Sequence, residues 1–166
     1  MMKKRLLAAG VMSALLVALT ACGAADPQDA VSKELEIDVS GGSEVSDYDT
    51  HSGNGDGVSC VVFSFADDQV AQEIEGDSAW SALPMDQTAQ ALAYGVSDET
   101  SSVGPYLTDD AEEPLLPEVQ NGYYRLIDRH SDAGDGQNLL ERFSLNLTLA
   151  LYDTDSNTLY FCKLDT

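Results

Sequence analysis

The chain has 166 residues, 43% of them hydrophobic, with 29 acidic side chains against 8 basic ones and a net charge of −21. That length suits one domain with a short appendage, and so negative a surface repels phosphate backbones, which excludes nucleic-acid binding. Solubility is the plain reading of the charge; attraction of cations or basic partners is the other.

The first residues, MMKKR, are followed by Leu6 to Ala21, sixteen residues without a charge. A basic start and an apolar run are the layout of a secretory signal peptide. The run falls short of the roughly 20 apolar residues that a spanning helix needs. At its edge, Leu19-Thr20-Ala21-Cys22 resembles the lipobox of bacterial lipoproteins, with Leu three places before the cysteine and small residues between. The resemblance implies that residues 1–21 are removed as a type II signal peptide and that the Cys22 sulfur carries a diacylglyceryl group. It also implies that the new amino terminus is acylated with a palmitate-like chain. Stable anchoring takes two acyl chains, at about 0.8 kcal/mol per buried methylene, and one diacylglyceryl group supplies both. The expected location is the extracytoplasmic face of a bacterial cell membrane. An ordinary signal peptide or an uncleaved anchor is the alternative, but no Ala-x-Ala cleavage site stands at this junction.

With Cys22 assigned to lipid, Cys60 and Cys162 remain in an exported chain. Oxidising compartments favour their pairing as a disulfide, two buried free thiols being the alternative. Removal of residues 1–21 would leave five basic and 29 acidic side chains, a net −24.

Residues 22–57 are rich in Gly, Ser and Asp and read as a flexible, lipidated, acidic tether. Only "ELEIDV" alternates as a short strand would. A single domain is expected over 58–166. "VSCVVFSF" (58–65) reads as a buried strand, apolar on both sides. "ADDQVAQEIEGD" predicts a short helix with Val70 and Ile74 four apart and a stop near Gly76. Asp86 is placed to cap "QTAQALAY", with Gly95 as its stop. Residues 96–121 read as loop, with three of the five prolines and an acidic patch at 109–113. "YYRLIDR" reads as a strand and "HSDAGDGQ" as a loop.

The clearest pattern is "FSLNLTLALY" (143–152), where Leu145, Leu147, Leu149 and Leu151 share one face of a half-buried strand. "DTDSNT" turns the chain into "LYFCKL" (159–164). A four-residue loop, Thr154 to Asn157, sets Leu151 opposite Tyr160, Leu149 opposite Cys162 and Leu147 opposite Leu164. A loop one residue longer would send every side chain to the other face. The fold class expected is α+β, an antiparallel sheet of about four strands with the 66–95 helices on its leucine face.

The segment "NGYYRLIDRHSDAGDG…ERFSLNLTLALYDTDSNTLYFCKLDT" is similar to the end of a family of uncharacterised membrane-anchored proteins of Gram-positive bacteria. The resemblance implies fold and location and carries no activity.

Candidate chemistry is sparse. Asp153, Asp155 and Asn157 alternate as a calcium loop begins, but Thr158 and Leu164 stand where an EF-hand wants Gly and Glu. An Asp/Asn-rich hairpin turn accounts for the run without metal. Asp128, Arg129 and His130 admit an acid–base reading or a local ion pair at a strand end, with no nucleophile elbow nearby. His51 falls in the expected tether. Zinc lacks paired ligand spacing. Trp80, Tyr123 and Tyr124 are candidates for a binding surface, or for core and rim. The expectation is a monomeric binding or structural module of the cell envelope, with an unidentified protein or cationic ligand as partner. It assigns no cofactor, no metal and no catalytic residue. The alternatives are a small envelope hydrolase using His130 and a calcium-responsive module.

Overall fold

The computed structural model describes residues 26–130 and 138–166. Asp26 opens the first helix, α1 (Pro27–Leu35), by accepting the Gln28 N–H at 3.1 Å. Pro27 suits the first helical position because no N–H is wanted there. Val31 and Leu35, four apart, form the buried stripe of α1, and Glu36 ends it at φ 55°. Ile37 and Val39 then point inward while Asp38 points out. β1 (Ser43–Asp49) follows and pairs with β2 (Gly57–Ser64).

The segment expected as a tether, 22–57, is therefore a docked helix and an edge strand through its described part. The "ELEIDV" alternation is real, but it spans the end of α1 and an extended stretch outside any strand. β1 escaped notice for a physical reason: nearly all its residues are exposed, so it carries no inward stripe. Glu44, Asp47 and Asp49 and a bulge between Glu44 and Ser46 blunt this edge against pairing with another chain.

The chain continues through α2 (Gln69–Glu75), β3 (Ser81–Ala82), α3 (Gln87–Tyr94), β4 (Val96–Ser97), β5 (Ser102–Val103) and β6 (Gly122–Asp128). A 3-10 turn at Leu139–Glu141 precedes β7 (Asn146–Asp153) and β8 (Thr158–Asp165). Among the described residues, six strands form one sheet in the order β1-β2-β8-β7-β6-β3. Every neighbouring pair is antiparallel, and β4 and β5 make a separate small hairpin. The class is α+β. The sheet has six strands rather than about four because polar β1 and two-residue β3 were added at its edges.

The β7–β8 hairpin has the expected register: Leu151 pairs with Tyr160, Leu149 with Cys162 and Leu147 with Leu164. On the other side of β8, Cys60 pairs with Cys162, and the two sulfurs are joined as a disulfide.

Two cores flank the sheet. On one face Val61, Phe63, Phe161, Ala150 and Tyr152 pack under α1 and α2 with Val31, Leu35, Ile37, Val39, Val70 and Ile74. On the other, Cys60, Cys162, Leu145, Leu147, Leu149 and Leu151 pack under α3 (Ala89, Leu92, Ala93) and the buried Leu107 and Leu116. The helices were expected together on the leucine face. In fact only α3 lies there; α2 crosses to the other side and joins α1. This explains why β2 is apolar on both sides, since it is a central strand with a layer over each face.

The caps follow the sequence. The Asp86 carboxylate accepts the Ala89 N–H at 2.8 Å and starts α3; Gly95, at φ 75°, ends it. Gly104, at φ 71°, lies so close to the Ala91 carbonyl oxygen that a Cβ would overlap it, which lets the following connection lie flat on α3.

Candidate functional site

Of the basic side chains beyond residue 21, Arg125, Arg129, Arg142 and Lys163 all have carboxylate partners. Their positions follow from strand alternation. Arg125 and Arg129, on the α1 face, hold that helix down. Arg125 Nη1 donates to the Leu35 carbonyl at 2.7 Å, at the carbonyl-rich end of α1. Arg129 bonds Asp165 at 2.9 Å and lies 3.7 Å from Glu34; the Lys163 ammonium reaches Glu34 at 2.6 Å. The Thr148 hydroxyl donates to Glu34 as well. One helix carboxylate thus receives two cations and a hydroxyl from three strands or their ends.

His51, expected in a tether, instead sits between Asp49 (2.6 Å from Nδ1) and Asp165 (3.2 Å from Nε2). Asp49 is held below the usual carboxylate range, first by the His51 backbone N–H and then by its ring. Asp165 links this pair to Arg129, so the cluster is a clamp on the β1–β2 loop and the end of β8.

The triplet Asp128, Arg129, His130 splits by alternation. Arg129 goes to the α1 face, while Asp128 and His130 turn to the other. Asp128 accepts Arg142 Nη1 at 2.7 Å and the His130 backbone N–H at 3.1 Å. The His130 Nε2 lies 3.0 Å from the Ser144 Oγ. Neither residue is fully buried. The frame beneath them is tied: the Arg129 N–H donates to the Asn146 carbonyl at 2.7 Å, and the Leu145 N–H to the Thr166 hydroxyl at 2.8 Å. Ser144 was missed from sequence because a lone serine before a strand makes no motif. The signal was in the β6–β7 register: Asp128 pairs with Leu147, so continuing the ladder brings residue 130 beside 145 and 144.

The other candidates separate. Trp80 is buried with α1 and α2, Tyr124 is buried in the opposite core with its hydroxyl accepting the Asp86 N–H at 3.0 Å, and Tyr123 faces the α1 side. They do not form one surface. In the 153–158 turn, Asp153 accepts the Asp155 N–H at 2.9 Å and the Ser156 hydroxyl at 2.7 Å. Asp155 accepts the Asn121 amide at 2.9 Å, and Asn157 adopts φ 49°. The acidic run is occupied with making a turn. Cys22, the lipobox and residues 1–21 lie outside the described residues.

An open cleft of about 280 Å³ is lined by Leu83, Met85, Tyr94 and Val119, with Gln90 and Glu118 at its polar side. The Tyr94 hydroxyl donates to the Pro117 carbonyl at 2.6 Å. Burial, then the Glu118 charge, pushes the Tyr94 phenol up to about 12. Tyr152 is likewise raised to about 12 by burial and by Asp67 and Asp68. An unfolded chain ionises its tyrosines near 10. The contribution to stability is therefore whole below pH 10 and is lost as the pH climbs from 10 towards 12. Alkaline ultraviolet titration should show the Tyr94 and Tyr152 phenols ionising late and together with unfolding; their ionisation near pH 10 with the fold intact would contradict this.

Among the described residues no helix is long and apolar enough to cross a membrane. No protein-family model, curated protein or solved structure matches the chain.

Proposed function

We propose that the chain is a lipid-anchored module on the extracytoplasmic face of a bacterial cell membrane, serving there as a binding or structural element. The observation that carries this reading is the pairing of Cys60 with Cys162. A buried disulfide suits an oxidising compartment, and it leaves Cys22, in its Leu-Thr-Ala-Cys setting, as the one thiol for lipid. The docked α1 changes what such an anchor would do. Cys22 stands four residues before the cap Asp26, a reach of about 14 Å at full extension. The domain would ride against the membrane surface instead of swinging on a long tether.

The test is Cys22→Ser. Wild-type protein should partition into membranes and carry the mass of a diacylglyceryl group on a chain starting at residue 22; the variant should be recovered unlipidated. An unmodified Cys22 on a chain still starting at Met1 would end the reading.

A further inference from the structure

The cleft beside α3 has an apolar floor, a carboxylate in its lining and no basic side chain. We propose that it is a binding site for a small organic amine, with Glu118 holding the ammonium group and Leu83, Met85 and Val119 holding an apolar or aromatic body. This gives a ligand to the binding role proposed above and does not depend on the lipid anchor.

The walls come from three stretches of chain, each tied in its own way. α3 presents Gln90 and Tyr94, four residues apart and so on one side of the helix. The segment after β3 is held at both ends: the Leu83 N–H donates to the Gly122 carbonyl at 3.0 Å, and the Asp86 N–H to the Tyr124 hydroxyl at 3.0 Å. The third wall, 118–120, follows the buried Leu116, and the Tyr94 hydroxyl holds it through the Pro117 carbonyl at 2.6 Å. A cleft braced in this way is largely formed before a ligand enters, which lowers the ordering cost of binding.

Leu83, Met85, Tyr94 and Val119 are each half-buried and pack against the leucine-face core. An apolar body laid on them covers surface that the fold leaves wet. The polar lining is the Glu118 carboxylate with the Gln90 and Gln120 amides. Glu34, Asp128 and Asp165 each hold a lysine or an arginine; Glu118, among the described residues, has no such partner. Its charge reaches the Tyr94 phenol, where it is the second cause, after burial, of the upward shift.

An ammonium beside Glu118 answers that charge, and the amide oxygens of Gln90 and Gln120 can accept its remaining N–H groups. An anion meets a net charge of −21, and a neutral ligand gains little from a carboxylate. Size narrows the class further. At about 30 Å³ for each water-sized group, the cleft of about 280 Å³ holds about nine non-hydrogen atoms. That is a monoamine of the dimensions of phenethylamine, too small a space for a peptide.

The test titrates isotope-labelled full-length protein with phenethylamine, phenethyl alcohol and hydrocinnamate, which share a body and differ in charge, and follows the amides by NMR. Phenethylamine should saturate with a dissociation constant of about 1 mM or tighter, moving the Met85, Tyr94 and Val119 amides most. The alcohol should bind about fivefold more weakly, and the acid not at all. Glu118→Gln should cost the amine about fivefold, the upper end for an exposed ion pair. Gln90→Trp, bulky but on an exposed helix position, should fill the cleft and abolish binding. Glu75→Gln, exposed on α2 in the opposite layer, should change nothing, which separates a site from general attraction to an acidic surface. If Gln90→Trp fails to fold, Glu118→Gln decides. Shifts spread over the acidic surface, equal binding of the alcohol, or unchanged affinity in Glu118→Gln would overturn the proposal. An unmodified Cys22 would leave it standing.

Discussion

Leu35→Ala should destabilise the domain by about 3 kcal/mol, within the usual span for a leucine cut back in a core, while Lys33→Ala should stay within about 0.5 kcal/mol. Leu35 is fully buried under the Phe63 and Tyr152 face of the sheet, whereas Lys33 is exposed on the same helix. The contrast is sharp because composition treats both positions alike, as parts of a polar, glycine- and serine-rich leader to the domain. Losing the Leu35 side chain also loosens what its backbone holds, since Arg125 is bonded to its carbonyl. The measurement is the urea midpoint of each variant at equal slope. Midpoints that coincide would show that residues 26–39 are not packed on the sheet.

Breaking the Cys60–Cys162 bond should have the larger effect. The bridge spans 102 residues, and the loop-entropy model assigns a 100-residue closure up to about 4.7 kcal/mol. A domain of this kind has about 5–15 kcal/mol in all, so the reduced protein should sit near the edge of folding. Both cysteines are buried among leucines, Cys162 completely. A reductant therefore has no path to the sulfurs until the sheet opens. Native protein should resist reductant at low urea, and protein unfolded, reduced and refolded with its thiols blocked from pairing should show a much lower midpoint. Identical curves for oxidised and reduced protein would refute the stabilising role of the bridge.

What sequence disclosed followed from how each element meets water. The β7–β8 register was legible to the residue because alternate leucines mark one face and the turn is short, but the strand expected to be half-buried is buried on both faces, with Ala150, Tyr152 and Phe161 packed under α1 and α2. Asp86 and Gly95 were legible because a helix end demands those chemistries. β1 was not, since an edge strand exposed along nearly its whole length has no reason to alternate. α1 left a faint sign, Asp26-Pro27 followed by Val31 and Leu35, diluted by the polar residues around it. The choice of face for α2 and α3 had no local sign, because both are short amphipathic helices and the connections between them decide which layer each joins. The candidate site was legible only by half. His130 stood out as a rare residue, but Ser144 gains meaning from strand pairing across a fourteen-residue gap.

The place of β8 between β2 and β7 has a consequence for biogenesis. All residues from 57 to 157 are synthesised before the strand that knits the two sides of the sheet together. Until Thr158 to Asp165 emerge, β2 has only the weak edge strand β1 beside it, and Cys60 cannot yet meet Cys162. Such a polypeptide stays slack while it is being made. Under the lipid-anchored reading proposed above, late closure would keep the chain fit for passage through a translocation channel and defer locking until the far side.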